Sequence, residues 1–495
     1  LRRQRQMCIR DRLIIMRYLV FILSFTLLNI NISNGSEKWG NDSLRSVLES
    51  RTIRANENGF LVFDVLTPRT EIKDLFAFPA HPAFDSLLTP EKKAEIRRAI
   101  EARCDEIGKD SLLTADLFYV MRPYFDWLHH IDPHFRIWES MPIGGTKRDF
   151  RRINKSMKCP AFNVVVINDT VVINRSIDPL FMKGDMLLSV NGIPVSRMLP
   201  YAYEDRYNRL DLLMRYYYFS YPTSNYTIRL IRNGSAFTVN TSGEATDKAV
   251  FDLDISESMD NNIRRYKNAR CGYIAIPKFF PNNDRLFKLL RSSIRQFKTD
   301  GCTSVILDLR KNQGGSGHNF DKILSIFIDK PTIPYLKNQR LKVSEETLQD
   351  YDFLTTDSLG KVVEIPRQYV TTRITLDPAC YVGDMKYYVL MSKDTGSIAA
   401  SFCNILQFND AASLVGEPLL HNALKYGEEI NGEALLPTLL IPTSISTVEF
   451  DEYTCAVDGV LMPDIVIPYV ARDYLSGRDA MLDKLLEIIE SNPIN

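Results

Sequence analysis

At 495 residues the chain exceeds what one hydrophobic core organises, so two or three domains are expected. Hydrophobic residues make up 45% and charged residues 25%, the balance of a folded globular protein and not of a disordered one. Lys+Arg and Asp+Glu both total 61, so no net field draws in polyanions, and no nucleic-acid partner is expected.

Residues 1–15 (LRRQRQMCIRDRLII) read as an artefactual translated extension, with Met16 as the start. Arg17, the apolar run YLVFILSFTLLNINI and the small residues Ser33 to Ser36 then follow the layout of a secretory signal peptide. The run is short for a spanning helix, so export to a periplasmic or extracellular space is expected. Membrane association through an uncleaved signal is the alternative. The eight cysteines form no Cys-x-x-Cys pair, and no zinc or calcium motif is present. Neither a metal nor a cofactor is therefore expected.

Thr89-Pro90 is a helix start, and Ile96, Ile100, Cys104 and Ile107 recur behind it at helical spacing. A second apolar stretch runs from Leu112 to Leu128, and Pro133 should end it, leaving His134 on a turn. From residue 160 to about 242 the pattern becomes β-branched runs broken by Asn168-Asp169, Asn191-Gly192 and Asn233-Gly234, which predicts a small antiparallel β domain. Beyond 246, strands alternate with helices. Gly272–Ile276, Thr303–Leu309 and Lys386–Met391 read as strands. Asp284–Lys298, Phe320–Phe327, Ile398–Leu406 and Met481–Ile489 read as helices. This alternation implies βαβ units with ligands at the carboxyl ends of the strands.

Two of those strand ends could carry chemistry. Asp308-Leu-Arg-Lys-Asn-Gln-Gly314-Gly315-Ser-Gly317 is a glycine turn that lets backbone approach a substrate, and it lacks the Gly-Lys-Ser/Thr of a phosphate loop. Asp394-Thr-Gly-Ser397-Ile398-Ala-Ala places a serine where a strand turns sharply into a helix. The hydroxyl of Ser397 and the amide of Ile398 would then share one spot, beside the positive end of the helix dipole. The plainer alternatives are an unliganded glycine turn and a serine that only caps its helix.

GDMLLSVNG (184–192) resembles the corresponding stretch of PDZ domains, which accept peptides by strand addition. The order DLR-x-N-x-GG and then TGS-x-AA resembles the core of the C-terminal processing (tail-specific) serine proteases. Gly272-Tyr-Ile-Ala-Ile-Pro-Lys-Phe279, Leu414-Val-Gly-Glu417 and Gly459-Val-Leu-Met-Pro-Asp-Ile465 are similar to further stretches of that family, in the same order. The resemblance implies an α/β multi-domain chain whose core has the ClpP/crotonase-like fold. Its expected parts are the extension plus signal peptide over 1–35 and a helical N-terminal domain over 36–155. A PDZ-like domain over 156–245, an α/β peptidase core over 246–475 and a C-terminal helix over 476–495 complete it.

The resemblance also implies Ser397 as nucleophile, with the amides of Gly314 or Gly315 and of Ile398 as the oxyanion hole. In one branch of the family the base is a lysine after the "VGE" stretch; here Lys425 falls about one helical turn from that place. The tricorn-like branch uses a histidine in an Asp-x-His context, which Asp132-Pro133-His134 resembles. A neutral imidazole suits general-base work at neutral pH, so His134 is the expected base. His318, beside the glycine turn, is its rival. Asp458 is the expected acidic partner, with Glu449 as alternative. His81, His129, His130 and His421 read as packing or surface residues.

These readings imply an exported serine endopeptidase acting on peptide or protein substrates, and they are compatible with an oligomer. A catalytically inactive protease-fold scaffold that binds peptides is the rival from another class. An acyl-CoA enzyme on a crotonase-like core is a third, and the export signal argues against it.

Overall fold

The computed structural model describes residues 53–55, 61–64, 81–137, 158–167, 170–197, 223–245, 262–280, 284–383, 385–436, 441–476 and 478–491. The expected extension and signal peptide over 1–35, and the Asn168-Asp169 turn, lie outside them.

Two 18-residue helices dominate the N-terminal described residues. In Pro90–Ile107 (α1) the Thr89 hydroxyl accepts from the Lys92 N–H at 3.2 Å, and Gly108 closes the helix with φ 62°. Ile96, Ile100 and Cys104 form its buried face. Thr114–Ile131 (α2) packs against it through Leu117, Phe118, Met121 and Phe125. Pro133 forbids further helix, so the chain turns at His134 into the short strand Arg136–Ile137 (β1).

An antiparallel sheet follows, built from Phe162–Ile167 (β2), Thr170–Ser176 (β3), Met186–Val190 (β4), Asn225–Arg232 (β5) and Ser235–Ser242 (β6). Its strand order is β6-β5-β4-β3-β2. Asn233 and Gly234 join β5 to β6 with φ of 50° and 79°, the paired positive angles that a tight hairpin needs.

The remaining chain builds two larger sheets, beside a two-stranded pairing of Thr332–Pro334 with Arg373–Thr375. Ile263–Tyr266 (β7), Cys271–Ala275 (β8), Asp284–Thr299 (α3), Ser304–Asp308 (β9) and Phe320–Leu324 (α4) come first. Leu336–Lys342 (β10), Val362–Glu364 (β11), Lys386–Met391 (β12), Ile398–Phe408 (α5) and Ser413–Gly416 (β13) follow. Tyr426–Leu436 (β14), Ile441–Glu452 (β15), Ile465–Val466 (β16) and Ala480–Ser491 (α6) complete the series.

The central sheet has the order β7-β8-β9-β12-β13-β16, parallel from β8 onward. One face packs on α3 and α5 through Leu286, Leu290, Ile294 and Phe402; the other packs on α6 through Met481, Leu482 and Leu485. Burial on both faces is why these strands read as continuous apolar runs. Asp308 pairs with Leu390, so β9 and β12 end side by side.

No sequence pattern announces the second sheet, β11-β10-β15-β14, onto which β1 adds beside β15. Its strand LKNQRLK (336–342) has little β-propensity of its own; pairing to Val448–Glu452 more than 100 residues later makes it a strand. The described cysteines are all free thiols.

Candidate active site

The side-by-side ends of β9 and β12 bring the two turns together, and Asn312 ties them. Its side-chain amide donates to the Ile276 carbonyl at 2.9 Å, and its own carbonyl accepts the Gly396 N–H at 3.0 Å. Its side-chain oxygen accepts the Gly314 N–H at 2.9 Å. Below it, Arg310 bridges the buried Asp308 and Asp479 of the C-terminal segment, which anchors the start of the glycine turn.

The glycines are there for space. A Cβ on Gly315 would lie 1.9 Å from the Phe279 carbonyl oxygen, and one on Gly314 would lie 2.5 Å from the Ser397 Cβ. Both have positive φ, 105° and 132° in chain order.

Ser397 occupies the cap position of α5 but makes no side-chain capping bond, so its hydroxyl is not spent on the helix. Its backbone sits at φ 52°, ψ −131°, a conformation that costs a non-glycine residue about 1–3 kcal/mol. The N–H groups of Ile398 and Gly315 hydrogen-bond to no described residue, whereas that of Gly314 is taken by Asn312. Of the two glycine amides expected to receive an oxyanion, only Gly315 is available.

His134 and Ser397 line one cavity of about 920 Å³, with Gln313, Gly315, His318 and Ile398. The pairing of β1 with β15 carries the 132–134 turn to this place. His134 is buried, and its Nδ1 lies 3.3 Å from Asp132 Oδ1, which also accepts the His134 backbone N–H at 2.9 Å. Asp132 is fully buried and accepts the Ser446 N–H and hydroxyl at 3.0 and 3.1 Å. Burial alone would raise its pKa; the hydrogen bond and charge of His134, then His81 and the Ser446 amide, outweigh that and hold it well below the carboxylate range.

The carboxylate in contact with His134 is that of Asp132, not that of Asp458. Asp458 is exposed, stands in a turn next to His421 and does not line the cavity. Glu449 does not line it either, being paired with Arg340 at 2.8 Å and Lys425 at 3.4 Å. Lys425 is exposed and paired with Glu449, and it does not itself line the cavity, although Leu424 and Tyr426 do. His318 also reaches the cavity, from the glycine-turn side, while the contact with Asp132 is made by His134.

Sequence reasoning missed two residues. Asp132 was visible in the Asp-Pro-His motif itself, two positions before the histidine. Glu452, at the end of β15, lines the cavity and accepts from the Ser401 hydroxyl at 2.7 Å and Asn404 at 3.0 Å. Burial pushes its pKa up to about 7 against those two hydrogen bonds. Its only signal was a position three residues past Glu449, in a strand the sequence did not reveal.

Residues 270–426 match the model of peptidase family S41. Three solved structures are similar in fold. Mature CPAF is 15% identical with a TM-score of 0.54, covering 87% of this chain and 99% of that one. Mature CPAF complexed with lactacystin is 16% identical with a TM-score of 0.55, covering 86% and 100%. A CPAF mutant is 13% identical with a TM-score of 0.56, covering 87% and 99%. No curated protein sequence matches the chain. The likeness to peptidase family S41 is carried by residues 270–426, the stretch that holds both the glycine turn and Ser397.

Proposed function

We propose that the protein is an exported serine endopeptidase that cleaves peptide bonds through a Ser397 acyl-enzyme. The observation that carries this reading is the shared cavity of His134 and Ser397, with the glycine turn packed directly on the serine. In this reading His134 Nε2 takes the Ser397 proton as the hydroxyl oxygen attacks the carbonyl carbon. Asp132, facing Nδ1, fixes the tautomer and stabilises the imidazolium. The N–H groups of Gly315 and Ile398 receive the oxyanion, helped by the dipole of α5. The imidazolium then protonates the leaving amine, and water hydrolyses the ester by the same route. Bond making and proton transfer balance with water as the only co-reactant.

The β2–β6 sheet is read as a PDZ-like module that positions an extended peptide. The GDMLLSVNG stretch supports this: it forms β4 and its turn, with Asn191 and Gly192 at positive φ. Export follows from the signal-like pattern of Met16 to Ser36.

The test is Ser397→Ala in the full chain. Peptide cleavage and labelling by an active-site serine reagent should both vanish while the circular dichroism spectrum is unchanged. Cleavage at the wild-type rate by that variant would remove Ser397 from the mechanism.

A further inference from the structure

Asp132 has a second neighbour, from a segment the catalytic reading leaves unused. His81 is fully buried, with its ring stacked on Phe84 at 4.0 Å between centroids and tilted against Tyr426 at 4.8 Å. The Ala83 N–H donates to His81 Nδ1 at 3.1 Å, so Nδ1 carries no proton. Burial pulls the ring's pKa down to about 4, against the attraction of Asp132, so it is neutral and its one proton sits on Nε2. That Nε2 makes no hydrogen bond and lies 3.7 Å from Asp132 Oδ2. The other charges acting on it are Glu449, Lys342 and Lys425.

A phenyl ring would keep the stack on Phe84, and an asparagine oxygen would accept the Ala83 N–H; neither role calls for a buried N–H aimed at Asp132. The imidazole therefore has a different use, and the direction of Nε2 names it. We propose that His81 is a positioning residue: its Nε2–H faces one oxygen of Asp132 while His134 faces the other, and it fixes the carboxylate that orients the base. At 3.7 Å the contact is a charge–dipole interaction, which a fully buried setting strengthens. The proposal rests on the reading of His134 as the base.

Removing the donor leaves more of the Asp132 charge on the oxygen that faces His134. The imidazolium of His134 is then favoured, and its pKa rises. His81→Phe keeps the stack and deletes the donor together with the Nδ1 acceptor, while His81→Gln restores an N–H at the reach of Nε2. Two readouts on the full chain decide: the NMR titration of the His134 ring, and the pH profile of kcat and KM on a peptide substrate.

In His81→Phe the His134 titration should move up by about half a unit to one unit. The acidic limb of kcat should move with it, kcat should fall about tenfold, and KM should hold. His81→Gln should return both toward wild type. A folded His81→Phe protein with an unmoved His134 titration overturns the proposal. Should the Phe variant not fold, His81→Asn replaces it, because Asn can still accept the Ala83 N–H but falls short of Asp132. Equal His134 titrations in the Asn and Gln variants overturn the proposal; a raised value in Asn alone supports it. Wild-type cleavage that does not depend on Ser397 would instead sink the peptidase reading, and the ring titration judges His81 independently of it.

Discussion

A Cβ added to Gly314 would stand 2.5 Å from the Cβ of Ser397, so the glycine turn and the serine turn are in contact through their backbones. That closeness lets amides of one turn and a hydroxyl of the other address the same atom, and it leaves no room for side chains. Gly314→Ala must therefore push Ser397 aside, and Gly315→Ala must break the bridge to Phe279, whose carbonyl oxygen lies 1.9 Å from the new carbon. Each should lower kcat/KM at least about 100-fold, the size of a lost oxyanion donor, with a folded spectrum retained. Wild-type kinetics in either variant would contradict the packing described.

Ser397 holds a positive φ of 52° that its side chain resists and glycine does not. Ser397→Gly should abolish peptide cleavage and yet melt higher than Ser397→Ala. The expected gap is about 1 kcal/mol in unfolding free energy. Paired denaturation curves measure it, and a less stable Gly variant would mean that the turn is not strained.

Much of this arrangement was legible from residue types. The central strands are buried on both faces and so are apolar throughout, and α3 buries the four residues its spacing names: Leu286, Leu290, Ile294 and Phe297. Local chemistry also marked Pro133 as the end of α2, and Asn-Gly as hairpin turns. The sheet carrying β10 and β15 was not legible, because its polar strands acquire their state from partners more than 100 residues away. Losing that sheet meant losing what it positions. Ser446 holds Asp132, Glu452 lines the cavity, and Asp458 looked closer to the site than it is.

The proposed base can be tested against its rivals. His134→Ala should reduce kcat about 100-fold or more, the range of a lost general base. Lys425→Ala and Asp458→Ala should stay within about threefold of wild type, as exposed residues that do not line the cavity. Asp132→Ala should behave like His134→Ala. Steady-state kinetics of the four variants would expose an error in either assignment, since the lysine alternative predicts the reverse order for Lys425 and His134.

Glu452 and His81 bias stability with pH in opposite directions. The folded value of Glu452 is raised from an ordinary 4.5 to about 7, so the folded state binds its proton more tightly than the unfolded chain. Its penalty is complete above pH 7 and is relieved as pH falls toward 4.5, a span worth about 3 kcal/mol. His81 is lowered from 6.5 to about 4, so the unfolded chain takes its proton first and stability is lost as pH falls across that interval, again by about 3 kcal/mol. In the wild type the two nearly cancel between pH 6.5 and 4.5. Glu452→Gln removes one side of the balance. From pH 8 to 4.5 the variant should lose about 3 kcal/mol of unfolding free energy that the wild type does not lose. Urea titrations at the two pH values give this difference directly, and groups that titrate alike in both proteins drop out of it. Parallel curves for variant and wild type would mean that Glu452 is not buried as a raised carboxyl beside Ser401.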